Sequence, residues 1–150
     1  MIPKLFVILQ FTGIVLVIFW GKIFPSTYLY FALESLGVIL GLWAIFEQRP
    51  GNFNITPTNK TNARLVTIGP YRYIRHPMYL AIIIALTPLI IDHYNPMRLI
   101  FGIALLIVLI LKLEYEERQL VKHFDGYEGY RGRSWKLIPL LLIQIVWLLN

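Results

Sequence analysis

The sequence predicts an all-α fold: a polytopic membrane bundle of four spanning helices, followed by a short C-terminal helix that is re-entrant, tilted or interfacial. Apolar residues make up 57% of the 150-residue chain and charged residues only 15%, more apolar surface than one soluble core of this size can hide. The apolar residues fall in runs of near-bilayer length, separated by polar stretches. The basic residues gather in two of those stretches, which fixes an orientation as well as a class.

The whole chain reads as a single membrane domain, with spans at about 3–20, 27–46, 78–91 and 97–113. The first run, Leu5 to Trp20, reaches bilayer length when the residues before it are included. No small-residue cleavage site follows it, so it is expected to be a retained helix and not a signal peptide. The second run carries Gly37 and Gly41 at a spacing that strips bulk from one helix face and lets a second backbone approach. It also carries Glu34, a carboxylate inside an apolar run. That residue is either part of a substrate site or a buried partner of Lys22 or Arg98.

From Glu47 to Thr67 the composition turns to Gly, Asn, Pro, Thr and Lys, a polar connector. Asn54 and Asn59 open glycosylation-type triplets, which the predicted cytoplasmic side of this loop makes irrelevant. The third span is short, and Pro88 is expected to kink or stop it. A tight turn at Asp92 to Pro96 leads into the fourth span, and residues 137–149 form the terminal apolar helix. Arg49, Lys60, Arg64, Arg72 and Arg75 lie in one polar region, and Lys112, Arg118, Lys122, Arg131, Arg133 and Lys136 in the other. Only Lys22 and Arg98 fall on the opposite side, so the N-terminus and both polar regions are expected to face the cytoplasm. This placement explains the net charge of +6 without nucleic acid, since the charges sit between apolar runs and not on one basic face.

Two polar segments carry the chemistry, 64–79 and 114–136. In the first, Gly69 to Tyr79 packs Arg72, Arg75, His76 and three tyrosines in front of an apolar run. Pro77 suits the first position of a helix, so His76, Pro77, Met78 and Tyr79 form a helix N-terminus whose free N–H groups favour an anion. Arg72 and Arg75 either complete an anion pocket there or anchor the helix at lipid headgroups. In the second, Leu113, Glu117, Leu120 and Phe124 share one helix face, which turns Glu117 inward with Glu116 at its flank. Glu117 is then a site residue or an ion-pair partner of Arg72 or Arg75, while Glu114 and Arg118 read as a solvated pair. Tyr127 and Tyr130 follow at a glycine-rich bend, either as aromatic faces for a cation or as part of an interfacial belt. The chain has no cysteine, its three histidines lack ligand spacing, and Ser26, Ser35 and Ser134 have no triad context. Thiolate catalysis, metal chemistry and serine hydrolysis are not expected.

These residues carry a family resemblance. Arg75-His76-Pro77-Met78-Tyr79, preceded by Gly69-Pro70-Tyr71, with Glu116-Glu117, Leu120, Phe124, Tyr127, Tyr130 and Leu137-Ile138-Pro139, resembles the isoprenylcysteine carboxyl methyltransferase family, relatives of the phospholipid N-methyltransferases. The resemblance covers roughly Gly41 to Pro139 and implies a small membrane enzyme that uses S-adenosylmethionine. It implies Arg75 and Glu117 near the methyl-transfer site and His76 to Tyr79, Glu116, Glu117, Tyr127 and Tyr130 around the cofactor. Arg72, Arg131, Arg133 and Glu34 are expected to meet the acceptor, a lipophilic small molecule or a lipid carrying a carboxylate or an amine, with Glu117 available as base for the amine. Ala81 stands where many members have glycine, and Phe124 is spaced differently from Tyr127, so the pocket is expected to differ in shape. Two alternatives stand beside this reading: an NADPH-dependent membrane reductase similar to the sterol reductases, and a non-catalytic lipid-binding protein.

Overall fold

A computed structural model describes residues 2–48 and 65–137. The expected terminal helix and the glycosylation-type triplets lie outside the described residues. Those described form five α-helices, α1 (Ile2–Phe19), α2 (Tyr28–Gln48), α3 (Pro77–Asp92), α4 (Pro96–His123) and α5 (Tyr127–Arg131), and a 3-10 turn at Gly69–Arg72. The helix α2 and the helix α4 are long and apolar enough to cross a bilayer, whereas α1 and α3 are shorter apolar helices. Their outer faces are apolar too. Leu29, Leu36, Ile39, Leu42 and Phe46 of α2 and Ile103, Ile107 and Leu111 of α4 stand exposed, as expected where lipid is the solvent.

The helices pack as two close pairs, α2 on α3 and α1 on α4. Gly37 explains the first pair. A Cβ placed there would sit 2.5 Å from the Ala85 nitrogen and 2.9 Å from the Ala81 oxygen, so only glycine lets the two backbones approach. One turn on, a Cβ at Gly41 would meet Ala81 Cβ at 3.4 Å, which is ordinary contact. The core between the pairs is Val17 of α1, Leu80, Leu86 and Leu89 of α3 and Leu105, Leu109 and Leu113 of α4.

Pro88 does not stop α3, which continues to Asp92. A proline costs its helix one backbone bond, and packing of the buried Pro88 and Leu89 on the core holds the last turn in place. The turn beyond it is tied down from both sides. Ser26 donates to Asp92 from its backbone nitrogen at 2.5 Å and from its hydroxyl at 2.6 Å, and the Asn95 side chain caps α4 by accepting from the Met97 nitrogen.

Arg98 was counted in the sequence as a turn charge, but its side chain is fully buried. The guanidinium donates to the Val17, Leu89 and Lys22 carbonyls at 2.8, 2.8 and 2.9 Å. Val17 and Leu89 stand in the last turns of α1 and α3, where the helix dipole favours a cation; the Leu89 carbonyl also accepts from the His93 nitrogen at 3.4 Å. One side chain thus closes two helix ends. Glu34, expected to pair with Arg98 or Lys22, makes no ion pair within 4 Å among the described residues, because Arg98 is spent on carbonyls.

Two outcomes follow from these contacts. Arg98→Met should lower the unfolding free energy in detergent by about 3 kcal/mol or more, since buried carbonyls lose a charged donor. Gly37→Leu should lower the melting temperature and loosen α2 from α3, while Gly41→Ala should leave both unchanged; thermal unfolding of the three variants in one detergent checks this.

Candidate functional site

The polar knot is built against the end of α2. Gly69 has φ +57°, a left-handed conformation that favours glycine, and a Cβ there would collide with Glu47 at 2.6 Å. This turn feeds the 3-10 segment and buries Pro70 and Tyr71, and the Gln48 amide donates to the Tyr71 hydroxyl at 3.1 Å. The chain then runs to His76, the N-cap of α3, with Pro77 in the first turn as the sequence predicts.

A short parallel bridge locks this segment to the tail. The Arg75 nitrogen donates to the Trp135 carbonyl at 2.7 Å and the Trp135 nitrogen to the Tyr73 carbonyl at 2.8 Å. Below it, α4 runs unbroken for 28 residues and delivers Glu117, only 5% exposed, to the knot. The inward face read from the 113–117–120–124 spacing is therefore correct. Three donors converge on one oxygen, Glu117 Oε1: Arg75 Nε at 2.9 Å, His76 Nε2 at 2.8 Å and the Tyr127 hydroxyl at 2.8 Å. The other oxygen, Oε2, is buried and has no hydrogen-bond partner among the described residues; Arg131 Nε lies 4.0 Å away.

Burial alone would push the Glu117 carboxyl up. Hydrogen bonds from His76 and Tyr127, with the nearby charges of His76 and Arg75, outweigh it and hold the group down at about 2. The group is ionised at neutral pH and is a poor base, which removes the role of proton acceptor for an amine that the sequence left open for it. The surrounding phenols move the other way. Burial pushes Tyr71 and Tyr130 up to about 12, and burial with the Glu117 carboxylate raises Tyr127 as well, so all three stay protonated donors.

Around this centre the expected residues divide. His76, Pro77, Tyr79, Glu116, Glu117, Tyr127 and Tyr130 come together. The His76 ring stacks on Tyr79 with centroids 5.5 Å apart, its Nδ1 lies 3.7 Å from Glu116, and the Tyr130 hydroxyl donates to the Tyr71 carbonyl at 2.5 Å. Met78 is half-buried beside them. Arg75 is not free for an anion, since it also donates to the Arg131 and Ser134 carbonyls. Arg72, Arg131 and Arg133 remain exposed at the rim. Glu34 stands apart, thirteen residues from Glu47 on α2 and so roughly 20 Å along the axis. Glu114 pairs with Lys136 and not with Arg118, because the bridge at Trp135 brings Lys136 alongside α4.

One residue of the cluster was missed. Lys112, read as a topological charge, is buried at 5% exposure over the Tyr79 ring, 3.9 Å from Glu116 and hydrogen-bonded to Gln10 of α1. Its i, i+4 relation to Glu116 was the available signal.

The profile of the isoprenylcysteine carboxyl methyltransferase family matches residues 28–122, more than half of the chain. A methanethiol S-methyltransferase of Pseudomonas deceptionensis is 30% identical over 128 residues, which are 81% of this chain and 42% of that relative. Another, of Crocosphaera subtropica (strain ATCC 51142 / BH68), is 26% identical over 125 residues, 81% of this chain and 44% of the relative. The chain thus spans less than half the length of these curated relatives. No solved structure matches it.

The depressed Glu117 carboxyl has a consequence for acid stability. A group with a lowered native pKa stabilises the fold above its unfolded value of 4.5, and that contribution is lost as pH falls toward about 2. Unfolding followed from pH 6 to pH 3 should show stability falling below about 4.5 in the native chain. Glu117→Gln should start less stable and flatten that acid limb.

Proposed function

Since the chain belongs to the isoprenylcysteine carboxyl methyltransferase family, we propose that it transfers a methyl group from S-adenosylmethionine to a small or lipophilic acceptor at the membrane. The names of its relatives point to a thiol of the methanethiol kind as the acceptor class. The observation that carries this reading is the orphaned Glu117 Oε2, a buried carboxylate oxygen for which the described residues supply no donor.

S-adenosylmethionine, when bound, supplies a methyl group on a sulfonium together with ribose hydroxyls and an ammonium, the kinds of donor and cation such an oxygen accepts. Arg75, His76 and Tyr127 fix the orientation of the carboxylate by filling Oε1, so that Oε2 alone is left for the ligand. The rings of Tyr79, Tyr127 and Tyr130 close the cluster and exclude water, which strengthens every charge interaction inside it. Arg75 and Glu117 are the residues we assign to the reaction centre. Arg72, Arg131 and Arg133, exposed at the rim, are assigned to anionic groups of donor or acceptor arriving from water. Glu34 takes no part in this reading.

An apolar groove of about 280 Å³ opens between α3 and α4, lined among others by Ile82, Leu86, Ile90, Ile103, Leu105 and Leu109. It gives a lipophilic acceptor a lateral way in from the bilayer, while the soluble donor reaches the knot from water. This reading places four spans in the membrane, with the N-terminus, the knot and the tail on the cytoplasmic face; the clustering of arginine and lysine in those regions supports it.

Purified protein in detergent, given methyl-labelled S-adenosylmethionine and methanethiol, should release labelled dimethyl sulfide, and calorimetry should register binding of S-adenosylhomocysteine. No heat with S-adenosylhomocysteine but clear binding of NADPH would favour the reductase reading. Arg75→Ala and Glu117→Ala should each lower turnover by about 100-fold or more without unfolding the bundle. Near-normal activity in either removes that residue from the site.

A further inference from the structure

We propose that Lys112 holds the methyl acceptor as an anion, which makes a thiolate, and not a neutral thiol or amine, the substrate form of this site. The inference rests on the methyl-transfer reading above and specifies its acceptor.

Lys112 is a buried cation whose ion pair with Glu116 is long. Its side chain is 6% exposed, and of the three N–H donors of an ammonium only one is used among the described residues, toward the neutral Gln10 oxygen at 2.8 Å. Glu116 Oε1, at 3.9 Å, is beyond hydrogen-bond distance. The Tyr79 ring, 5.2 Å from the ammonium, offers only its quadrupole. The groups facing Lys112 are Gln10 from α1, Tyr79 from α3 and Glu116 from its own helix, with His76 behind Glu116 at 3.7 Å. A cation removed from water without a bonded anion is costly, and an anionic ligand would relieve that cost.

Its position fits an acceptor site. The groove between α3 and α4 is lined at one end by Leu109 and Ile82, which lie three residues before Lys112 and three after Tyr79. Leu109 and Lys112 are both buried on the inner face of α4. That end of the groove stops about one helical turn from the ammonium, so an acceptor moving along it has one turn of α4 left to cross.

The chemistry needs such a group. The thiolate, not the thiol, is the nucleophile, and a neighbouring cation lowers a thiol's pKa. Glu117, held ionised by its three donors, does not serve as base, so the thiol proton passes to bulk water and the sulfur anion pairs with Lys112. As the new S–CH3 bond forms from the thiolate lone pair, the sulfonium S–CH3 bond breaks and its electron pair stays on the donor sulfur. The product is a neutral thioether with no charge to pair with the ammonium, and it leaves by the apolar groove.

The test compares wild type with Lys112→Met and Lys112→Arg, using methanethiol and S-adenosylmethionine across a pH series. Lys112→Met should raise KM for the thiol by about tenfold or more and move the midpoint of the rising limb of kcat up by about one to three pH units. Lys112→Arg should restore both, and KM for S-adenosylmethionine should stay put. S-adenosylhomocysteine calorimetry on each variant confirms a folded donor site. An unmoved midpoint, or a change confined to the KM for S-adenosylmethionine, overturns the proposal.

Failure of wild type to methylate any thiol would instead overturn the proposed function. The anion site is then read without turnover, from an aromatic thiol whose thiolate absorbs in the visible. It should ionise at lower pH on wild-type protein than in detergent alone, and the difference should vanish in Lys112→Met; equal titrations on both proteins overturn the inference.

Discussion

A single carboxylate oxygen, Glu117 Oε1, gathers a guanidinium, an imidazole and a phenol from two separate parts of the chain. Arg75 and His76 come from the segment before α3, Glu117 from the C-terminal part of α4, and Tyr127 from α5. Burying a carboxylate at 5% exposure is unfavourable on its own, and only this number of donors makes the ionised form the stable one. Once it is ionised, its donors have fixed orientations. Arg75 is drawn across to the Arg131 and Ser134 carbonyls, and the Tyr73 to Arg75 strip pairs with Trp135. Loss of the carboxylate would leave a buried guanidinium and an unanchored tail.

The two ends of the helix pack handle buried charge in opposite ways. At one end Arg98 is fully satisfied by backbone carbonyls of α1, α3 and the turn between α1 and α2, so its charge closes helix termini and has nothing left to offer a ligand. At the other end the cluster is incomplete among the described residues, with an orphaned oxygen on Glu117 and an ammonium on Lys112 hydrogen-bonded to one amide and 3.9 Å from Glu116. Chemistry belongs at the end where hydrogen bonding is unfinished, because unpaired buried groups are the ones a ligand can pair. Packing contributes as well. The close approach that Gly37 permits draws α3 onto α2, and α3 and α4 touch far less, which leaves the groove between them.

Much of this was written in the order of residues. The apolar runs gave α1, α2 and α3 to within two residues and the start of α4, which runs ten residues past its apolar stretch, since a helix in lipid must satisfy its own backbone and needs a minimum length to do so. The proline after His76 marked the start of α3, the small residues of α2 marked its close contact, and the spacing of Leu113 and Glu117 turned the carboxylate inward. Such features are local, set by backbone geometry within a few residues.

What the order of residues did not decide was how each charge is spent. Arg98 and Lys112 read as topological charges, and Glu117 as a base for an amine or an ion-pair partner of Arg72 or Arg75; the fold made a helix clamp, a buried ammonium and a carboxylate paired with Arg75 and ionised at neutral pH. Partners lying forty to more than a hundred residues away determine those outcomes, as Gln10 does for Lys112 and Arg75 for Glu117. The sequence by itself determined the membrane helices and the two polar segments that must meet, because periodicity and hydropathy act along the chain. Only the tertiary structure decided which oxygen lacks a partner among the described residues and which ammonium keeps a single hydrogen bond there, because that depends on distances of a few ångströms between segments the sequence keeps apart.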